Sequence, residues 1–95
     1  MTLAFYHAKI GDREQALIDL KTATALGASD LESQFTKVQA LALLERREES
    51  LELLLWCIDK GISPLEVNYA LDLSDLRSDA RYLQHMKVRA AKDKR

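Results

Sequence analysis

The sequence carries one pattern twice, since the small and apolar residues of segment 4–27 recur in segment 38–61. A period of about 34 residues is typical of a unit of two helices, which buries its apolar faces by stacking on its neighbours. The pattern therefore predicts an all-α chain, in which each residue of the first copy has a counterpart in the second. The coinciding pairs are Ala4 with Val38, His7 with Leu41, Ala8 with Ala42, Ile10 with Leu44, Ala16 with Ser50, Leu17 with Leu51, Leu20 with Leu54, Ala23 with Cys57 and Gly27 with Gly61.

Helix start and stop signals support the same register. Ser29 and Ser63, which are counterparts, are each followed three residues later by glutamate, and this predicts two capping boxes. Pro64 suits the first position of a helix, and Gly27 and Gly61 suit the residue that closes one. These signals predict helices over residues 2–10, 13–26, 30–44, 47–60, 64–71 and 79–92.

Composition limits the classes of function. Of 95 residues, 47% are hydrophobic and 31% charged, which is typical of a globular chain, and the formal charge of −1 offers no overall attraction to nucleic acid or to an anionic membrane. No apolar stretch approaches the length that crosses a bilayer. With the single Cys57 and no basic segment leading into an apolar run, we expect a cytoplasmic protein that binds neither nucleic acid nor membrane.

Residues capable of chemistry are present but not arranged for it. His7 lies on a packing row and His85 in the last helix, without carboxylates or cysteines at metal-ligand spacing, so packed or surface histidines are favoured over ligands or bases. Cys57 occupies a small-residue position, which favours a buried thiol over a reactive one. The three aspartates of residues 72–79 lack the glycine and glutamate of a calcium loop. We expect no catalytic residue, metal or cofactor.

The basic C-terminal segment and the single tryptophan also have simple explanations. Positive side chains near a helix C-terminus complement its dipole, and aromatic residues for base stacking are missing between them, so this explanation is favoured over phosphate binding. Packing is favoured for Trp56 over a cage for a cation. The basic residues are Lys87, Arg89, Lys92, Lys94 and Arg95, accompanied by Asp93.

Residues 11–27, with Gly11-Asp12-Arg13-Glu14-Gln15-Ala16-Leu17 leading through Ala23 to Gly27, resemble the second half of a tetratricopeptide repeat. Residues 41–51 resemble the corresponding turn and helix, and the match covers residues 1–64. It departs from the family pattern at three positions. Gln34 replaces the tryptophan that commonly opens a repeat, Glu45 replaces the turn glycine, and Ala28 replaces the closing proline.

The resemblance implies antiparallel helix pairs stacked as a right-handed superhelix, in one domain over residues 1–95. Residues 1–28 would be a first repeat that lacks its N-terminal part, residues 29–62 a second repeat, and residues 63–95 a partial repeat with a capping helix. In that last helix we expect Ser78 to cap the start and Leu83, Met86 and Ala90 to cover the core. Residues 72–82 are similar to the closing segment of bacterial arrays attached to serine/threonine kinases or adenylate cyclases.

The resemblance also implies a protein-binding scaffold whose first helices line a concave face. The alternative is a structural spacer, or a unit that self-associates through an uncovered N-terminal face, within a kinase or cyclase. The chaperone-binding members of the family grip a C-terminal carboxylate with lysines, an arginine and asparagines, and none of these stands at the matching positions, so we expect no binding of this kind. The residues that would contact a peptide are Phe5, Lys9, Phe35, Thr36, Gln39, Leu43 and Tyr69.

Overall fold

The computed structural model describes residues 1–93 and is all-α over that range. The elements are α1 (Thr2–Lys9), α2 (Arg13–Ala25), α3 (Leu31–Leu43), α4 (Arg47–Lys60), α5 (Pro64–Tyr69), a 3₁₀ helix (Leu71–Leu73), α6 (Ser74–Arg77) and α7 (Ala80–Asp93). Six of these helices lie close to the predicted ranges, whereas the sequence signals do not predict the 3₁₀ helix or α6. No helix of residues 1–93 is long and apolar enough to cross a membrane.

The turns that join α1 to α2 and α3 to α4 have the same backbone geometry. Gly11 has a φ of 87° in the first turn, and its counterpart Glu45 has a φ of 62° in the second. In each turn the next amide donates to the carbonyl five residues earlier, at 2.8 Å and 2.9 Å. This is the Schellman arrangement, which satisfies the last carbonyls of a helix. The register of the sequence thus recurs in backbone conformation.

The helix boundaries confirm most of the expected signals. Gly27 and Gly61 both have positive φ after α2 and α4. Ser63 caps α5, with Glu66 completing the capping box and Pro64 at the start of the helix. The capping box expected at Ser29 is wrong, because the carboxylate of Asp30 accepts the amide of Ser33 instead, at 3.1 Å. Aspartate is as good a cap as serine, so a one-residue shift still starts the helix.

Helix α3 lies at the centre of the packing. It packs against α4 and α1, while α1 also packs against α2, and α3 contributes side chains to each of two hydrophobic clusters. The buried members of the first cluster are Ala4, Ala8, Ala16, Leu20, Ala40, Leu41 and Leu44. The buried members of the second cluster are Val38, Leu51, Leu54, Cys57, Ile58, Ile62, Val67, Ala70, Leu73, Leu76 and Tyr82.

Small residues allow the helices of the two pairs to pack closely against one another. Ala4, Ala16 and Ala40 are fully buried, as is Ser50, the counterpart of Ala16 in the second copy. The hydroxyl of Ser50 donates to the carbonyl of Val38 at 2.7 Å, so its burial leaves the hydroxyl with a partner. Small buried residues therefore lie where the helices of the two pairs contact one another. The right-handed superhelical form of the stack stays a prediction.

Helix α7 runs parallel to α4 and is joined to it by ion pairs. Near its start Arg81 bonds Glu48 at 2.6 Å, and further along Arg89 bonds Asp59 at 2.9 Å. Asp79 fills the capping position expected for Ser78, because its carboxylate accepts the amide of Arg81 at 2.8 Å.

The side chains of α7 that cover the core differ from those expected. Tyr82 is buried in the second cluster and Met86 packs against it, which confirms Met86 as a covering residue. Leu83 is exposed and Ala90 is absent from both clusters, so their expected role is wrong. Tyr82 and Met86 are four residues apart and therefore lie on one face of α7, which is the buried face. Leu83 lies on a neighbouring face and points towards solvent.

Candidate functional site

A row of four residues on α3 forms the middle of the predicted groove. Glu32, Thr36, Gln39 and Leu43 follow one another at steps of four, three and four residues, which places them on one face of the helix. Glu32 is exposed and the other three are half-buried. The hydroxyl of Thr36 donates to the carbonyl of Glu32 at 3.0 Å. Gln39 makes no side-chain hydrogen bond with any other residue of 1–93, so its amide remains available.

Helix α1 supplies one wall of this row. Phe5 is half-buried and, like Leu43 of α3, packs against the first hydrophobic cluster. The ammonium nitrogen of Lys9 lies 5.2 Å from the centre of the Phe5 ring, within the range of a cation–π contact. The structure therefore brings Phe5, Lys9 and Leu43 to the same end of the groove.

The 3₁₀ helix supplies the opposite wall, through a residue that the sequence analysis does not assign to the groove. The Asp72 carboxylate lies 3.6 Å from the Lys9 ammonium group. Because α1 and the 3₁₀ helix both pack on α3, this ion pair joins the two walls. The sequence does contain a signal for this role of Asp72, because an aspartate stands at a position where the repeat pattern requires a small residue.

Phe35 and Tyr69 lie apart from that end. Phe35 is half-buried and packs against the second hydrophobic cluster, so much of its surface serves the core. Tyr69, in α5, is 81% exposed. Of the seven predicted residues, Tyr69 thus offers the largest exposed fraction of an aromatic side chain, whereas Phe35 is only partly exposed.

The residues that line four cavities on the described part of the surface include none of the seven predicted groove residues. The first, of about 520 Å³, lies against α3 and α4 and includes Leu41, Leu53 and Trp56. A second, of about 360 Å³, extends along α2 and shares Leu41 with the first. The other two, of about 320 Å³ and 420 Å³, lie at the N-terminal and C-terminal ends of the stack.

The packing role expected for Trp56 is wrong, because its side chain is exposed and belongs to neither hydrophobic cluster. Its side chain is 42% exposed on the rim of the first cavity, and the Lys60 ammonium nitrogen lies 5.8 Å from its ring centre. This contact is a surface cation–π pair between neighbouring turns of one helix. The ring thus covers the side of α4 and does not enter either hydrophobic cluster.

The two histidines each pair with an aspartate, in different parts of the molecule. The Nδ1 atom of His7 lies 2.5 Å from Asp19, which also accepts the Gln15 amide at 3.0 Å. The pKa of Asp19 is lowered, mainly by the Gln15 hydrogen bond and then by His7. His85 bonds Asp59 at 2.9 Å. The counterparts of His7 and Asp19 are both leucines, so a polar pair takes the place of an apolar contact.

Cys57 is buried in the second cluster, and burial raises the pKa of its thiol to about 11. The thiol therefore stays protonated near neutral pH, and the nucleophilic thiolate is scarce. Within residues 1–93, no three histidine, cysteine, aspartate or glutamate side chains come together as a metal site would require.

Part of the basic C-terminal segment can be placed. Arg89 is paired with Asp59, while Lys87 and Lys92 are exposed. Lys94 and Arg95 lie outside the described residues.

Comparison of the chain with protein-family models, with curated proteins and with solved structures gave no match.

Proposed function

We propose that the chain is a tetratricopeptide-type scaffold that binds a segment of a protein partner along the groove formed by α1, α3 and the 3₁₀ helix. The observation that carries the proposal is the half-buried side chain of Gln39, whose amide faces solvent without a hydrogen-bond partner among residues 1–93, in a row that continues to Leu43. A carboxamide offers both donors and acceptors, which suits the backbone of a bound peptide. Phe5 and Tyr69 add aromatic contact area, which is a frequent source of binding energy.

The groove also offers charges of both signs. Lys9 and Asp72 lie on its two walls, and both can exchange their mutual contact at 3.6 Å for contacts with a ligand. An ion pair of this length at the surface contributes little to stability, so its loss on binding is tolerable. We therefore propose a partner segment with mixed polar and apolar side chains.

The recurring turn geometry supports the family assignment. The Schellman turns at Gly11 and Glu45 and the closing glycines Gly27 and Gly61 repeat in one register, in backbone conformation as well as in sequence. The similarity of residues 72–82 to closing segments of bacterial arrays supports a place within a larger cytoplasmic signalling protein of bacteria. In that setting the groove would recruit a partner, and the catalytic work would belong to another domain.

Selection of peptides from a random displayed library on the immobilised chain tests the proposal. Peptides obtained in this way should bind in solution with micromolar affinity, measured by fluorescence anisotropy. Gln39→Arg should weaken binding by at least about tenfold, because a long cation replaces the amide in the middle of the row. Glu52→Arg, a charge reversal on the rim of the cavity beside Trp56, should leave it unchanged.

The two variants together decide the outcome. If every selected peptide binds Gln39→Arg as tightly as the unaltered chain, the groove is not the binding surface. If Glu52→Arg is the variant that abolishes binding, the partner belongs in the cavity beside Trp56 and the proposal is wrong.

A further inference from the structure

Exposed apolar side chains are concentrated at the two ends of the stack. Among the described residues, the large hydrophobic side chains that are exposed fall into one group on or next to α1 and α2 and a second between α5 and α7, with only Trp56 between them. Apolar patches of this kind on a surface commonly mark an interaction site. We call the first group the N-terminal face and the second the C-terminal face. The N-terminal face consists of Leu3, Tyr6, Ile10, Ile18 and Leu26, and the C-terminal face of Leu65, Leu71, Leu83 and Val88, while Tyr69, which is also exposed at this end, belongs to the groove.

The N-terminal face is the counterpart of a surface that is covered elsewhere in the same molecule. Tyr6 and Ile10 are 55% and 60% exposed, whereas their counterparts Ala40 and Leu44 are 0% and 2% exposed. The second pair is buried because α1 packs against α3. Leu3, Tyr6 and Ile10 lie away from the buried alanines of α1, so nothing within residues 1–93 covers them.

The N-terminal face carries apolar residues at positions whose counterparts in the second helix pair are charged. At three positions a large aliphatic side chain of the first pair replaces a lysine or glutamate of the second. A face adapted to water would show the opposite exchange, since charged residues are the ones usually left in solvent. The apolar residues and their counterparts are Leu3 and Lys37, Ile18 and Glu52, and Leu26 and Lys60.

The outer side of α7 has a complementary shape. Ala80, Gln84 and Val88 follow one another at steps of four residues and, with Arg81 and His85, line a shallow cavity of about 420 Å³. Ala80, the smallest of these side chains, leaves room for a large side chain from a facing helix. The C-terminal face thus has a depression, while the N-terminal face projects Tyr6 and Ile10.

We propose that this chain binds a second copy of itself end to end, with the N-terminal face of one copy against α7 and the rest of the C-terminal face of the next. Within one molecule α1 covers the corresponding surface of α3, and between molecules the last helices of the next copy would cover the surface of α1. It covers both apolar faces, whereas two N-terminal faces in contact would leave the C-terminal faces exposed. Because the two surfaces differ, the contact is heterologous, and assembly proceeds to chains of copies unless it closes into a ring.

Sedimentation velocity across a wide concentration range tests this arrangement. The unaltered chain should gain mass as its concentration rises. Ile10→Arg and Val88→Arg should each remain monomeric alone, because each introduces a charge on one of the two faces. Trp56→Arg, which changes the exposed hydrophobic residue lying between the faces, should associate like the unaltered chain.

Mixing the two monomeric variants is the decisive measurement. Each still has one intact face, so an equimolar mixture of Ile10→Arg and Val88→Arg should form a complex of two chains that does not grow further. Circular dichroism of each variant should match that of the unaltered chain, so that loss of folding is distinguished from loss of association. Peptide binding by the monomeric variants provides a second check of folding, because neither Ile10 nor Val88 is one of the seven groove residues.

Three results would overturn the arrangement. A mass that stays that of a monomer at all concentrations would remove self-association and leave the N-terminal face to another helical partner. Normal association of Val88→Arg would point to paired N-terminal faces. Failure of the two variants to combine would show that their faces do not meet.

Discussion

Glu45 holds a backbone conformation that glycine normally takes. It is the one non-glycine residue with positive φ among residues 1–93, and its counterpart in the first copy is Gly11. Left-handed backbone costs about 1–2 kcal/mol for a residue with a Cβ atom. The amides of the Schellman turn compensate for this strain, since the turn keeps the same hydrogen bonds in both copies.

Glu45→Gly should therefore stabilise the chain. We expect a gain of about 0.5–1 kcal/mol in the free energy of unfolding, because relief of the strain exceeds the larger entropy that glycine has in the unfolded chain. The side chain itself contributes little, as it is exposed and lies 4.0 Å from Arg13. Urea denaturation provides the measurement.

Gly11→Ala is the matched control. A Cβ atom at Gly11 would meet no neighbour within 4 Å, so only its φ of 87° opposes the change. This variant should lose about 1 kcal/mol. If Glu45→Gly proved less stable than the unaltered chain, the side chain of Glu45 would have a role beyond the turn.

At the scale of elements, α7 is held to α4 by a small ion-pair network. Asp79 is central to it: its side chain is 12% exposed and accepts from Arg47 at 2.6 Å. The pKa of Asp79 lies well below its usual range, first because of the Arg47 hydrogen bond and then because of Arg81. Arg81 also bonds Glu48, whose pKa it lowers.

The network predicts a loss of stability in acid. A carboxylate with a lowered native pKa contributes its full stability above its unfolded pKa of about 4, and loses it as the pH falls through the lowered value. Urea midpoints measured from neutral pH into the acid range should therefore fall. Asp79→Asn should be less stable at neutral pH and show a shallower decline below about pH 4.

Asp75→Asn serves as the comparison for that variant. Asp75 also bonds Arg47, at 2.8 Å, but its side chain is 75% exposed. Asp75→Asn should alter the fall of the urea midpoint in acid less than Asp79→Asn does, because water screens an exposed ion pair. Equal declines in Asp79→Asn and the unaltered chain would show that acid acts elsewhere.

For the whole molecule, the two hydrophobic clusters should unfold together. Leu53 packs against both of them, and α3 contributes Val38 to one and Leu41 to the other. Coupling of this kind through a shared helix favours a single cooperative transition in a small domain.

Leu54→Ala tests that cooperativity. Leu54 is fully buried in the second cluster, so its truncation should lower the free energy of unfolding by about 2–5 kcal/mol. Trp56 fluorescence and far-UV circular dichroism should report the same shifted midpoint. Separate midpoints would mean that the first cluster remains folded after the second has opened.

Local structure follows from the sequence more directly than the meeting of distant side chains does. Periodic apolar residues, Ser63 and the closing glycines define the long helices, because these signals act within a few residues of where they stand. The 3₁₀ helix and α6 escape prediction, since they depend on tertiary contacts. Arg77, which donates to the carbonyls of Val67 and Ala70 at 2.7 Å and 2.8 Å, holds the end of α5 across that break.

The groove shows the same limit. Helical spacing is enough to place Thr36, Gln39 and Leu43 on one face. It cannot show that Asp72 approaches Lys9, because that contact depends on how the 3₁₀ helix turns back onto α3. The concentration of apolar residues at the two ends likewise requires knowledge of which faces are covered.

The single thiol provides a built-in probe of how often this molecule opens. Cys57 is fully buried where α3, α4 and the elements after α4 meet, so an alkylating reagent in solution can react with it only while that region is open. The rate of labelling then measures how often the second cluster separates from its neighbours. Partners that bind at the groove or at either end should slow that rate to different degrees, which makes one sulfur atom a reporter of every contact proposed for the chain.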